Sequence, residues 1–434
     1  MTHSGGVAAA APQSRNYVLG LLFLLNILLV LDKIVFVILL EPIKKEFQLT
    51  DIQLGVLTGL VYALLMGAAA VPFGIAADRG NRRNLAALCL GAWSGLTAAC
   101  GMAQNFWQLL LARMGVGIGE AGGGPAALSI IADLFEHRKR ATAMAVFSLA
   151  TPMAALLNLM VGTQISHAYG WRATLLAASV PGIVVALLMF LTMKEPRRGS
   201  ADGVRGATKA PPLLETLRFI ASQRALVHLL MGALLSYVTL AGISSWHFSF
   251  FVRSFHVKLN EVGPQLGLAF CLFGLTSNFL SGLIADRLAK RDERWRAWIM
   301  ALGALASVPL CLGFVWAQDW ATTMYLSAAF AGICMFWLSP AYALTQSLVA
   351  VRMRSTIAGI LFLVANMIGY GIGPPLVGAL SDLFAVGSGS DSLRMAFVCT
   401  VMLNLWAGLH FFLASRALRK DLAAAQAMDA GTAG

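Results

Sequence analysis

Charge is what this sequence has least of. Of its 434 residues only 12% are Asp, Glu, Lys or Arg, against about a quarter in an ordinary soluble domain. Cysteine is sparse too: there are six, each inside an apolar run and none in CxxC spacing, which excludes a disulfide framework and a thiolate metal site. The chain has no Ser/His/Asp set, no paired-His metal motif and no Gly-Lys phosphate loop, so no class of enzyme is marked. No cofactor and no metal are expected.

Apolar residues take the place of the missing charge. They make up 58% of the chain, and the mean hydropathy is +0.75. A soluble protein of this size could not keep so much apolar surface from water. A soluble enzyme, a DNA-binding protein and a disordered chain are therefore excluded. At roughly 20 apolar residues per crossing, the length holds about a dozen spans. Apolar runs lie near 17–40, 54–77, 84–103, 106–134, 141–166, 172–193, 225–251, 261–285, 297–317, 320–350, 355–381 and 395–415. The first is too long for a signal-peptide core and has no cleavage site, so it reads as a span.

The longest polar interruption, Lys194 to Arg218, falls near the midpoint. It predicts a tail (1–16), a six-helix bundle (17–193), a linker (194–224), a second six-helix bundle (225–415) and a second tail (416–434). With both termini placed in the cytoplasm, 24 of the 32 Lys and Arg residues lie in inner segments, six in outer loops, and Lys33 and Arg113 within spans. That asymmetry is the positive-inside pattern. It accounts for the net charge of +12 with no nucleic acid and no anionic partner beyond lipid headgroups. The expected location is the bacterial inner (plasma) membrane.

The halves repeat. Gly74-Ile-Ala-Ala-Asp78-Arg79 returns as Gly282-Leu-Ile-Ala-Asp286-Arg287, 208 residues later, and Arg138-Lys-Arg140-Ala-Thr142 returns as Arg352-Met-Arg354-Ser-Thr356 after 214. Parallel six-helix repeats belong to a large transporter fold with its substrate site between the halves. The stretch containing Gly74, Asp78, Arg79, Arg82 and Arg83 resembles the GxxxDRxGRR signature of the major facilitator superfamily. There the glycine admits a neighbouring helix, and the resemblance implies a gating role for Asp78, Arg79, Arg83, Asp286 and Arg287. Positive-inside anchoring also accounts for the arginines.

Ionisable side chains inside spans are costly and mark function. Four stand out, all in the first half: Asp32 and Lys33 in the first span, Arg113 and Glu120 in the fourth. Seven residues separate Arg113 from Glu120, which puts them on one face about 10 Å apart. Each should therefore find its partner on another helix, with Asp32 and Lys33 available. Gly115, Gly119 and Gly123 offer a close-packing stripe beside them, and Pro125 would bend the helix. The four charges sum to zero, so a proton on either carboxylate leaves +1 and favours an anion. Asp32 and Glu120 are both candidates for that proton.

The second half has no mid-span charge and presents aromatic and weakly polar groups instead: Tyr237, Trp246, His247, Asn278, Phe336, Trp337, Tyr342 and Asn366. A cavity charged on one wall and aromatic on the other suits an amphipathic anion. Lys33 and Arg113, with Tyr237, Trp246, Phe336, Trp337 and Tyr342, are the candidate substrate contacts.

The Asp32-Lys33 pair and the runs EPIKKEFQLTDIQLG, FGIAADRGNRRN, FWQLLLARMGVGIGEAGGGPAALSIIADLF and YGWR resemble the spinster branch of that superfamily, densely over about residues 26–172. The resemblance implies an all-α membrane protein of twelve transmembrane helices in two six-helix bundles. It further implies transport of a lysophospholipid or a sphingosine-1-phosphate type of substrate, proton coupling through Asp32 and Glu120, and Arg113 as their partner or an anion contact. Spinster proteins usually carry Asp-Arg in the first helix. The lysine here keeps the charge but loses the two-pronged fork. Symporters of small organic anions such as sugar acids look similar in the first and fourth helices, so that class is the alternative. Membrane lipids, protons and the anion are the expected partners, and the working unit is expected to be a monomer.

Overall fold

An apolar segment in hydrocarbon must satisfy its backbone groups internally, and a helix does so within one segment. The computed structural model describes residues 14–196, 213–349, 353–388 and 391–431, and no strand occurs among them. Nine helices among the described residues are long and apolar enough to cross a membrane. One of them, Thr142–Thr192, is 51 residues long and turns at Gly170 (φ 83°, ψ 170°), so it makes two crossings. Phe106–Leu134 and the run 354–388 bring the crossings to twelve.

In chain order the spans are Arg15–Ile38, 51–79, Arg82–Met102, Phe106–Leu134, 137–169 and 171–192 in the first half. The second half has Arg224–Phe255, Leu259–Ala289, Trp295–Trp316, 320–347, 354–388 and 392–431. Two short helices lie outside the expected runs. Leu40–Phe47 follows the first span and ends at Gln48, which is left-handed at φ 53°. Leu213–Ser222 lies within the expected linker. The last helix continues to Gly431, well past the expected end, because its Ala-rich tail favours helix.

Small residues set the spacing. A Cβ on Gly119 would lie 2.9 Å from the Cβ of Trp93, and one on Gly123 would lie 2.9 Å from the same indole. The stripe thus seats the fourth span on the third, and that helix continues through Pro125. Between the halves, the second span packs on the eleventh: a Cβ on Gly378 would lie 2.4 Å from the Asp51 carbonyl oxygen. One hydrophobic cluster, with Leu40, Leu54, Phe250, Phe314 and Val377, runs through both halves at the Asp51 end. At the opposite end the second half has its own cluster, with Leu226, Met300, Trp337 and Phe411.

Candidate functional site

The four intramembrane charges pair across helices. Arg113 donates through Nη1 to Asp32 Oδ2 at 2.9 Å, and Lys33 Nζ lies 3.8 Å from Glu120 Oε2. Adjacent residues of the first span thereby serve two levels of the fourth. The lysine chain leans toward the N-terminus of its own helix, the direction in which the antiparallel fourth span carries Glu120. Asp32, Arg113 and Glu120 are all buried, whereas the Lys33 side chain is 26% exposed. Lys33 is therefore the most accessible charge of the set.

Each carboxylate has a different company. Asp32 accepts from Arg113 and from the Thr97 hydroxyl, and a polar void of about 10 Å³ adjoins it beside Ser94, Thr97 and Ser179. Glu120 accepts from the Tyr62 hydroxyl at Oε2, while its buried Oε1 has no hydrogen-bond partner among the described residues. Arg113 lies over the rings of Phe36, at 4.3 Å, and Tyr62, at 5.4 Å. Lys33 lies 5.5 Å from the centre of the Tyr62 ring. Cation–π contacts of this kind stabilise a desolvated cation. Tyr62 and Thr97 were not among the residues expected from sequence.

In the second half, the structure brings the candidates Tyr237, Tyr342 and Trp337 together with Tyr370, which was not expected from sequence. The Tyr62 ring meets Tyr370 edge-on at 6.1 Å across the halves. Tyr237 lies against Gly369, with Tyr342 and Tyr370 as neighbours, and meets Trp337 edge-on at 6.2 Å. Trp246 is fully buried elsewhere and donates its indole N–H to the Pro374 carbonyl at 3.0 Å. Phe336 packs against Gly303 of the ninth span. His247 is buried in a cage of Phe251, Phe270 and Phe314. The side chains of Asp78, Asn278 and Asn366 lie outside the described residues.

The Asp51 end is closed by charge. Arg253 grips Asp51 with both prongs, at 2.7 and 2.8 Å, and reaches Glu41 at 2.8 Å. Lys44 and Ser381 also donate to Asp51, at 2.5 and 2.7 Å. Asp382 accepts the backbone N–H groups of Asp51 (2.9 Å) and Ile52 (2.8 Å), so the eleventh span caps the free N-terminus of the second. At the matching corner the fifth and eighth spans are joined by a neutral contact: Gln164 donates to the Asn260 carbonyl at 2.7 Å, beside a Lys258–Glu261 pair local to the start of the eighth span.

At the other end the signature region differs from expectation in two respects. Among the described residues nothing lies within 4 Å of a Cβ placed on Gly74, so none of them uses that gap in this state. The buried arginine is Arg82. It bonds Asp133 at 2.5 Å, Glu195 at 2.8 Å, the Ser129 hydroxyl at 2.9 Å and the Pro196 carbonyl at 3.1 Å. Arg83 donates to the Met193 carbonyl at 2.8 Å, while Arg79 and Arg287 are exposed. Asp286, 70% exposed, pairs with Arg296 at 3.3 Å. No group of three or more His, Cys, Asp or Glu side chains that could hold a metal ion occurs among the described residues.

Residues 22–374 match the family described as Major Facilitator Superfamily. An MFS-type efflux pump of Mycolicibacterium smegmatis is 31% identical over 95% of this chain and 95% of its own. The sphingosine-1-phosphate transporter SPNS2 of Danio rerio is 27% identical over 84% of this chain and 75% of its own. A crystal structure of a bacterial homolog of the human lysosomal transporter spinster, inward-facing and unoccupied, is similar at a TM-score of 0.85 and 28% identity, covering 94% of this chain and 98% of its own. Family match, relatives and fold agree with the two-bundle architecture, and the chain belongs to the Major Facilitator Superfamily as an integral membrane transporter, not an enzyme, of the spinster type.

Proposed function

We propose that this transporter moves an amphipathic, lipid-like anion by alternating access between its two bundles, coupled to protons through the Asp32, Lys33, Arg113 and Glu120 set. The observation that carries the reading is the cross-pairing of those four charges with Lys33 left partly exposed. A proton on Glu120 neutralises the partner of Lys33 and frees that amine for an anionic headgroup. Glu120 is the better proton carrier on geometry, since its Oε1 has no bond to give up. Asp32 is held from two sides by Arg113 and Thr97.

Tyr237, Trp337, Tyr342 and Tyr370 form the aromatic wall of the second half in this reading. The name of the zebrafish relative supports a lysolipid-like substrate. The positive-inside count places both termini in the cytoplasm, and the closed Asp51 end then faces outward. That orientation accords with the inward-facing conformation of the similar bacterial structure. Bundle limits at 17–193 and 225–415, the bacterial inner membrane and a monomeric working unit belong to the same proposal.

A small organic anion is the second reading. Lys33 is a point charge without the guanidinium fork, and Trp246 and Phe336 are committed to packing rather than to an aromatic wall. A thermal-shift screen of lysolipids against sugar acids separates the two, because a bound ligand raises the melting temperature by mass action. The coupling is tested in liposomes. Substrate-driven proton movement that persists in both Glu120→Gln and Asp32→Asn would refute it.

A further inference from the structure

We propose that Tyr62 is the positioning residue that carries the protonation state of Glu120 to the contact between the halves. This rests on the reading of Glu120 as the proton site. Tyr62 is buried at 2% exposure and touches both parties. Its hydroxyl donates to Glu120 Oε2, and its ring meets Tyr370 of the second half edge-on at 6.1 Å.

The groups facing this pair are Lys33 and Asp32 from the first span, Arg113 from the fourth and Tyr370 from the eleventh. The backbone of Tyr62 packs closely on the fourth span: a Cβ on Gly117 would lie 2.8 Å from its carbonyl oxygen.

A hydrogen bond to a carboxylate is about twice as strong as one to a neutral acid. When Glu120 takes up a proton, the hold on the Tyr62 hydroxyl weakens and the acid acquires a donor of its own. The Tyr62 ring is then free to turn, and the surface it turns against is Tyr370. Each of these rings stands just past a π-helical turn, Val56–Leu60 before Tyr62 and Val364–Gly369 before Tyr370. Such turns are frequent at functional sites. Beside them the second and eleventh spans touch directly, since a Cβ on Gly59 would lie 2.8 Å from the Tyr370 carbonyl oxygen. Asp32 has no such route: its hydrogen bonds go to Thr97 and Arg113, both in the first half.

The test uses spin labels at Lys45→Cys and Lys258→Cys, exposed positions on opposite halves of the Asp51 end, with Cys271→Ser and Cys399→Ser to silence the accessible thiols. In the parent chain, acidification is expected to shift the inter-label distance distribution. Tyr62→Phe keeps the ring and loses the hydroxyl, and Tyr370→Ala removes the ring it turns against; both are expected to lose the shift. Tyr370→Phe is expected to keep it, and loss there would mean a general packing defect and count against the inference. A Tyr62→Phe chain that still shifts overturns the inference. A Glu120→Gln chain that still shifts overturns the reading of Glu120 as the proton site, whatever Tyr62 does.

Discussion

Arg253 and Asp51 form a two-pronged ion pair between the seventh and second spans, with N–O distances of 2.7 and 2.8 Å, and thereby tie the two bundles together at one end. Asp51 is buried, and Arg253 is mostly so. Removing one partner of a buried pair leaves the other uncompensated and costs about 3–5 kcal/mol. Lys44 and Ser381 remain on Asp51 and offset part of that. Arg253→Ala is expected to move the population toward the state open at this end by about 10-fold or more, within the usual range of such couplings. Accessibility of a reporter thiol at Lys45, with and without the substitution, reads the change.

Gly378→Ala should open the same seam for a different reason. The added methyl would sit 2.4 Å from the Asp51 carbonyl, so the second and eleventh spans must part. The Arg253–Asp51 pair is largely buried and is little screened by salt, so both variants are expected to keep their opening at high ionic strength. Unchanged accessibility of the Lys45 reporter in Gly378→Ala would count against a sterically closed seam.

Arg82→Lys is expected to destabilise the chain almost as much as Arg82→Ala. The guanidinium reaches Asp133, Glu195, Ser129 and Pro196 at once from a buried position. An ammonium has the charge but not the planar fork. Arg83→Lys is expected to have a small effect, although the two residues are neighbours. Melting temperatures in detergent separate the three variants, and equal losses for Arg82 and Arg83 would count against this account.

Glu46 gives a pH prediction outside the membrane. Its carboxylate accepts from Arg172 at 2.5 Å and Trp171 at 2.7 Å, and these bonds, the one from Arg172 first, hold its pKa below the ordinary glutamate value. A depressed folded pKa means that the stabilisation is complete above the unfolded value and is lost as pH falls through the folded one. The pair is well exposed, so its share is modest, about 0.2–1 kcal/mol. Glu46→Gln should lower the melting temperature slightly near neutral pH, and the difference should vanish in acid below the glutamate range.

The twelve crossings and the four charges within spans were legible in the sequence because hydrocarbon penalises any break in an apolar run and any charge within one. The partners of those charges were not. Tyr62 and Thr97 carry no such penalty and look like ordinary span residues. Arg82 and Arg83 present the same charge in the same loop, and which of them turns inward depends on helix phase at the start of the third span. Gly74 reads as a packing residue, yet no neighbour among the described residues meets it in this state, since a sequence serves every state at once and a structure shows one. Trp246 and Phe336 are aromatic residues in the right half, but an aromatic ring packs as readily as it lines a cavity.

The seam at the Asp51 end is lopsided. On one side the second and eleventh spans are latched by carboxylates and an arginine; on the other, Gln164 meets the Asn260 carbonyl through a single neutral bond, and the Leu159 carbonyl lies 2.5 Å from where a Cβ on Gly263 would be. A tight corner whose contact between the halves is neutral, with the Lys258–Glu261 pair kept within the eighth span's own start, behaves as a hinge opposite a lock. The bundles would then swing apart like a door, opening first along the jamb where the carboxylates stand.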